Sequence, residues 1–193
     1  MRISKDIIFL AFTLFFPAIL LAQTKYEKEY RIKQEEVPEK ALEFIHSASI
    51  DFSEKWYFEE NLEGNSIEAK FKYNQKRYSV EFDTSGNFLD IEIKTPFDAL
   101  LEKLQASIKN SLKNTYSKFK IRKMQVQYSG SIPSFADFLN EPNREEHYNI
   151  HYEIVVKGKK NRRWNLFEMT YNSQGELKKT EQIILRNTDN LEF

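Results

Sequence analysis

Residues 77–93 read RYSVEFDTSGNFLDIEI, and this stretch decides the fold class. Tyr78, Val80 and Phe82 alternate with polar residues, which is the pattern of a strand that buries one face and exposes the other. Turn residues around Gly86 then lead into a second alternating run, FLDIEI. A connection this short joins antiparallel neighbours, so the stretch predicts a β-hairpin.

The residues before the hairpin extend the same pattern. SIEAKFKY (66–73) alternates in the same way, and we expect an earlier strand around Trp56 and Phe58. Further upstream, VPEKALEFIHSAS (37–49) places apolar residues at helical spacing after Pro38, which suits a first helical turn. The first unit is therefore predicted to be one helix, over residues 38–49, followed by four antiparallel strands.

The same order starts again at residue 95. Thr95 is expected to cap a longer helix with Pro96 in its first turn. The apolar stripe of this helix is Leu100, Leu104, Ile108 and Leu112. Alternating runs follow, and WNLFEMTYNSQGELKKTEQI (164–183) repeats the strand, turn and strand layout of the first hairpin about 90 residues later. A duplicated domain is one interpretation, and the general likeness of antiparallel hairpins is the other.

These patterns predict an α+β fold of two tandem units, each a helix packed on one face of a roughly four-stranded antiparallel sheet. The first unit covers residues 23–95 and the second covers residues 96–193. The second unit contains a long loop, residues 129–146.

Residues 1–22, MRISKDIIFLAFTLFFPAILLA, have the layout of a secretory signal peptide. Arg2 and Lys5 precede an apolar run, and small Ala22 precedes polar Gln23. A membrane anchor is the alternative, but Pro17 interrupts a run that is shorter than the roughly 20 residues needed to span a bilayer. We expect cleavage after Ala22, a periplasmic or secreted location and no membrane span after cleavage.

The composition excludes several classes of site. The chain has no Cys, which excludes disulfides, zinc–thiolate sites and a thiol nucleophile. The 29 Lys and Arg residues balance the 29 Asp and Glu residues, so the net charge does not indicate a nucleic-acid partner. With 16 Phe and 10 Tyr, the core is expected to be aromatic.

The helix opened by VPEKALEFI, the strand pair KRYSVEFDTSGNFLDIEI and the second copy around NSQGEL resemble a known family. They are similar to the PepSY-like, beta-lactamase-inhibitor-like domains of exported Bacteroidetes-type proteins, over roughly residues 35–186. The resemblance implies two tandem helix-and-four-strand units, a periplasmic or secreted address and no catalysis. It also implies that the family takes its name from an inhibitor fold and not from a demonstrated activity of its members.

Candidate metal and catalytic residues have simpler interpretations. His147 and His151 lie in an alternating run, where a strand would place them about 13 Å apart, too far to share one metal ion. Asp83, Asp90 and Glu92 fall on the polar phase of their strands, which favours a solvated sheet face over an acid–base pair. We expect no catalytic, cofactor-binding or metal-binding residues and no cofactor.

The loop SGSIPSFADFLNEPNREE (129–146) is longer than most loops in compact domains, and such loops are often functional. Ser134 and Asp137 are expected to cap a single helical turn carrying Phe135, Phe138 and Leu139. Two interpretations stay open. These side chains either cover the end of the sheet or present aromatic anchors to a partner protein.

The basic run KGKKNRR (157–163) is expected at a solvated hairpin tip, with a polyanion-binding patch as the alternative. Trp164 follows this run directly. It completes the candidate partner-binding set, which is Phe135, Phe138, Leu139 and Trp164.

The predicted function is an exported, non-catalytic binding or inhibitory module that acts on another envelope or secreted protein. The alternative is a carrier that holds a small apolar or peptide-like ligand between sheet and helices. The sheet face opposite the helices is expected to be wet and available to a protein or glycan. That face carries Glu68, Lys70, Lys72, Ser79, Glu81, Asp90 and Glu92.

Overall fold

A computed structural model describes residues 23–184, apart from residues 26, 63 and 143–147. The predicted signal peptide and His147 lie outside the described residues. Within this part of the chain, no helix is long and apolar enough to cross a membrane.

The described strands form one continuous sheet of ten strands, in the order β1-β10-β9-β8-β7-β6-β5-β4-β3-β2. Neighbouring strands are antiparallel except β1 and β10, which are parallel. The strands are β1 (Gln23–Lys25), β2 (Glu27–Ile32), β3 (Lys55–Asn61), β4 (Asn65–Tyr73), β5 (Lys76–Asp83), β6 (Phe88–Lys94), β7 (Lys118–Gly130), β8 (Tyr148–Lys160), β9 (Arg163–Asn172) and β10 (Leu177–Ile183).

This single sheet contradicts the predicted fold class of two tandem units. The register places Asp90 of β6 opposite Ser129 of β7 and Lys94 opposite Gln125, so the two halves of the chain share one sheet. An unpaired β6 would leave a row of backbone donors and acceptors exposed, and pairing with β7 satisfies them. Strands β1 and β2 extend the sheet at its two ends, and neither strand is predicted from the sequence. The predicted unit boundary after residue 95 stays a prediction.

Three α-helices belong to the described residues: α1 (Glu39–His46), α2 (Glu102–Thr115) and α3 (Phe135–Asn140). Both longer helices lie where the apolar spacing predicts them, but the predicted cap of α2 is wrong. The Thr95 hydroxyl donates to the carbonyl of Ile93, and α2 begins only after a 3-10 turn. The Gln105 side chain donates to the carbonyl groups of Asp98 and Leu100, which stabilises this extended approach to the helix.

All three helices pack on one face of the sheet. One apolar cluster lies beneath α1 and α3 and contains Trp56, Val80 and Phe82. A second cluster lies beneath α2 and contains Ile154 and Met169. Each fully buried side chain of this size stabilises the fold by about 1.5–3 kcal/mol, so these clusters form the core.

The same turn occurs in each half of the chain. Backbone amides of the first turn donate to the Asp83 carboxylate, and those of the second donate to the Asn172 side chain. Gly86 has φ +81° and Gly175 has φ +77°, a region that favours glycine. A Cβ at either glycine would approach atoms at the start of α1 or α2 within 2.9 Å and 2.8 Å respectively. Each turn therefore fixes one helix against the sheet. The duplication itself stays a prediction.

Candidate functional site

The sheet face away from the helices carries polar side chains on every strand from β3 to β10. Strand alternation places them opposite the apolar residues that face the helices. We call this surface the polar face. Its central members are Glu59, Ser66, Glu68, Lys70, Ser79, Glu81, Asp90, Glu92, Gln125, Gln127, Glu153, Glu168, Thr170 and Glu181.

The polar face is less exposed to water than the sequence predicts. Lys72 is exposed as expected, whereas Lys70, Ser79, Glu81 and Glu92 are half-buried. Only 9% of the surface of Glu68 and 9% of that of Asp90 is exposed, and Gln125 is buried to a similar extent. The buried side chains of α1, α2 and α3 all belong to the two apolar clusters on the other face. Among the described residues, therefore, the helices do not account for this burial.

Curvature of the sheet accounts for it. Burial raises the pKa of Glu81 on β5, of Asp90 on β6 and of Glu153 on β8, and the Lys25 ammonium on β1 acts on all three in the opposite direction. In a flat sheet, β1 and β5 would lie about 29 Å apart at their usual spacing, beyond the screening length of about 10 Å in physiological salt. The sheet therefore curls toward its polar face, which becomes concave and partly encloses its own side chains.

Six carboxyl groups interact at the centre of this concave face, and we call them the acidic cluster: Glu68, Glu81, Asp90, Glu92, Glu153 and Glu168. Glu68 lies directly opposite Glu81, and Glu81 lies directly opposite Asp90. Like charges in directly opposed positions destabilise a sheet. The arrangement therefore opposes folding unless protons or cations neutralise it.

Protons neutralise part of the cluster. Burial, together with the charges of Glu92 and Glu81, raises the pKa of Asp90 to about 9. Burial also raises the pKa of Glu81 and of Glu92. The pKa of Glu153 is raised by burial first, then by the charge of Glu92, with which it shares a hydrogen bond. Asp90 is consequently protonated over most of the neutral range.

Two glutamines of β7 hold the carboxyl groups in place. The Gln127 side-chain amide donates to Asp90 Oδ2 and to Glu153 Oε1, at 3.2 Å in each case. The Gln125 amide donates to Glu92 Oε2 at 2.5 Å. Asp90 Oδ1 is buried and has no hydrogen-bond partner among the described residues. One carboxyl oxygen inside the acidic cluster is therefore unpaired.

In the part of the chain that the structure describes, two lysines form ion pairs with members of the cluster. Lys70 contacts Glu68 at 2.8 Å and Glu29 at 2.5 Å, and Lys25 contacts Glu168 at 2.8 Å. Burial alone would lower the pKa of Lys70, but the two carboxylates outweigh burial and raise it above its usual value. Within the described part of the chain, no ion pair reaches the four central carboxyls, those of Glu81, Asp90, Glu92 and Glu153.

The cluster does not have the geometry of a metal site. Within residues 23–184 as described, no group of three or more His, Asp or Glu side chains is arranged to hold a metal ion. His151 lies on β8 beside Gln127. Side-by-side carboxyls of this kind suit a donor that brings both charge and hydrogen bonds, such as an ammonium or guanidinium group.

The loop residues of the predicted partner-binding set lie in the core. Ser134 caps α3 by accepting from the amide of Asp137, which confirms the predicted helical turn. Phe135 and Phe138 are 2% exposed and Leu139 is 3% exposed. This burial favours the interpretation in which they cover the sheet. A partner-binding role for them would require α3 to leave the sheet, and it stays a prediction.

Trp164 lies apart from these residues. It follows a two-residue turn at Asn161 and Arg162, both with positive φ, so the predicted hairpin tip is confirmed. Trp164 is 45% exposed and lies opposite Lys159, whereas α3 lies near the Tyr148 end of β8. Along a strand these ends are about 36 Å apart, so the structure does not bring Trp164 together with the loop.

A shallow, open groove lies at the ends of β8 and β9. It is lined by Tyr148, Asn149, Ile150, His151, Asn172, Ser173 and Gln174. This groove lies outside the layer between sheet and helices, so it gives the carrier alternative no support.

The acidic cluster could have been predicted from the sequence by combining the alternation with the register of the strands. Short turns fix the register of β4, β5 and β6, and that register brings acids at positions 68, 81 and 90 into one row across the sheet. Their burial was not predictable in the same way, because it depends on curvature.

The fold is similar to that of solved proteins from Bacteroides. A DUF2874 family protein from Bacteroides ovatus ATCC 8483 is 15% identical with a TM-score of 0.52, over 76% of this chain and 87% of that one. A BLIP-like protein from Bacteroides fragilis NCTC 9343 is 16% identical with a TM-score of 0.47, over 81% of this chain and 92% of that one. Comparison with protein-family models and with curated proteins gives no match.

At these identities the likeness concerns the fold alone. The PepSY-like, Bacteroidetes-type resemblance drawn from the sequence stays a prediction.

Proposed function

We propose that this chain is a non-catalytic binding module that holds a partner protein of the bacterial envelope on its concave polar face. One observation carries the proposal: a wide polar face on which Glu59, Glu68, Asp90 and Glu181 are buried although the helices lie on the other side. Burying charged groups without full pairing is unfavourable in an isolated domain. Such a face is retained where a ligand completes it.

The size of the face suits a protein partner. Ten strands at about 4.8 Å spacing, with about seven residues each at 3.3 Å, give roughly 1,000 Å² measured along the sheet. A standard protein–protein interface buries about 800 Å² on each partner. A small ligand would cover only a fraction of this surface. The envelope location rests on the predicted signal peptide, and the sequence contains no catalytic motif.

Photo-crosslinking in the native host tests the proposal. The full chain is expressed with a benzophenone amino acid in place of Ser79 or Thr170 on the polar face, or in place of exposed Lys113 on α2 as the matched control. We expect one protein, identified by mass spectrometry, to be crosslinked from both polar-face positions and not from α2. Crosslinking from α2 alone, or from none of the positions, would contradict the proposal.

A further inference from the structure

We propose that the acidic cluster is the recognition site for a basic segment of the partner, whose Arg or Lys side chain enters the concave face and binds Asp90 and the carboxyls around it. This inference rests on the proposed function and adds the chemical class of the partner.

The charges of the face are unbalanced. Six carboxyls interact at the centre of the face, and Lys25 and Lys70 form ion pairs with two of them, Glu168 and Glu68 respectively. The Lys25 ammonium also acts on Glu81, Asp90 and Glu153, so six carboxyls face two paired cations. Further charged or titratable groups surround the cluster on the strands packed around it. They are Glu29, Glu59, Arg77, Lys94, Lys123, His151, Lys179 and Glu181. Of these, Lys123 acts on Glu92, where it opposes the rise in pKa that burial causes.

Asp90 also has an unpaired buried oxygen. Its Oδ1 has no hydrogen-bond partner among the described residues, while Gln127 donates to Oδ2. Buried polar atoms without a partner are rare unless they have a functional reason. Once Asp90 has lost its proton, a guanidinium or ammonium between Asp90 and Glu81 would donate to Oδ1 and oppose the repulsion across β5 and β6.

The cation and the protons of the cluster are coupled. A bound cation favours the charged form of each neighbouring carboxyl and thus releases a proton. Binding must then strengthen as pH rises toward the pKa of Asp90. Release of a single proton makes the affinity increase about tenfold for each pH unit below that pKa. The affinity of an ordinary surface ion pair does not rise with pH in this range, because its carboxylates are already charged at pH 6.

The test uses a fluorescein-labelled peptide of four Arg-Gly pairs as the probe. Its binding to the full chain is measured by fluorescence anisotropy at pH 6, 7 and 8. The matched peptide carries citrulline in place of each Arg and so keeps the shape without the charge. We expect the citrulline peptide to bind at least tenfold more weakly, and the affinity of the Arg peptide to rise between pH 6 and pH 8.

Two variants locate the site. Asp90→Asn is expected to weaken the Arg peptide at least tenfold at pH 8 and to flatten its pH dependence. Asp51→Asn makes the same substitution at an exposed position before β3, and it is expected to change neither the affinity for the Arg peptide nor its pH dependence. Equal binding of the citrulline peptide, or equal effects of the two variants, would overturn the inference. Spermine is tested in the same assay. If it binds more tightly than the peptide, the inference that the cation belongs to a protein segment is overturned.

The outcomes separate the inference from the proposed function. A protein that is crosslinked through Ser79 equally well in the Asp90→Asn background leaves the binding function intact and overturns the basic-segment inference. An Arg peptide that binds through Asp90, with no protein crosslinked at Ser79 or Thr170, supports the cation site and overturns the protein-binding function.

Discussion

Asp90→Asn is expected to stabilise the protein at neutral pH and to leave its stability almost unchanged in acid. The pKa of Asp90 rises from 3.8 to about 9 because folding buries the carboxyl beside other acids. The folded state therefore holds the proton more tightly than the unfolded state. Stability from this group is fully present below pH 3.8 and is lost progressively as pH rises toward 9.

The magnitude follows from the two pKa values. Each pH unit inside this window removes about 1.4 kcal/mol of stability, so the rise from pH 5 to pH 7 removes about 3 kcal/mol. An Asn side chain does not titrate, and its oxygen still accepts from Gln127. The variant should thus gain up to about 3 kcal/mol over the wild type between these pH values, or roughly 6–12 °C in Tm for a domain of this size.

Urea unfolding followed by Trp fluorescence measures this difference at pH 5, 6, 7 and 8. Asp51→Asn, an exposed position, is the control and should follow the wild type at every pH. If the free energies of unfolding of Asp90→Asn and the wild type run parallel from pH 5 to pH 8, the acidic cluster is not a buried, proton-linked group. The reasoning on the site would then fail.

Three further outcomes are expected. Phe135→Ala with Phe138→Ala should lower the Tm sharply in a thermal melt, because truncating a buried Phe costs about 3–5 kcal/mol; an almost unchanged Tm would favour a partner-binding role instead. Gly175→Ala should destabilise by about 1–3 kcal/mol in urea, since its φ is +77° and its Cβ would meet an α2 side chain at 2.8 Å. Gly64, at φ +148°, carries backbone strain of the same kind but faces open space, so Gly64→Ala should lack the packing part of the loss, and equal losses would refute the packing argument. Lys25→Gln removes a cation that acts on the acidic cluster, so stability should fall more steeply from pH 5 to pH 8; an unchanged slope would show that β1 lies away from the cluster.

The local elements were predictable because their signals lie close together in the chain. The alternation in residues 77–93 predicts β5 and β6, and the spacing of Leu104, Ile108 and Leu112 predicts the buried side of α2. Ser134 predicts the start of α3 in the same way. Each of these signals is read within about four residues, the reach of a helical turn or a hairpin.

The joining of the two halves was not predictable from such signals. The β6 and β7 strands are separated by the whole of α2, and nothing in the alternation of either strand says which edge it pairs with. The two outer strands were missed because neither carries a strong apolar alternation: β1 has three residues and β2 reads EKEYRI. Their strand conformation depends on the neighbour that pairs with them.

The composition of the two sheet faces follows from the amino-acid sequence, because side chains alternate across a strand whatever its neighbours are. Alternation puts Glu81, Asp90 and Glu92 on the face opposite the core, and the structure agrees. The concave shape of this face and the burial of Asp90 depend on the tertiary structure. Curvature accumulates from the twist of ten paired strands, so the environment of one carboxyl depends on residues far away in the chain.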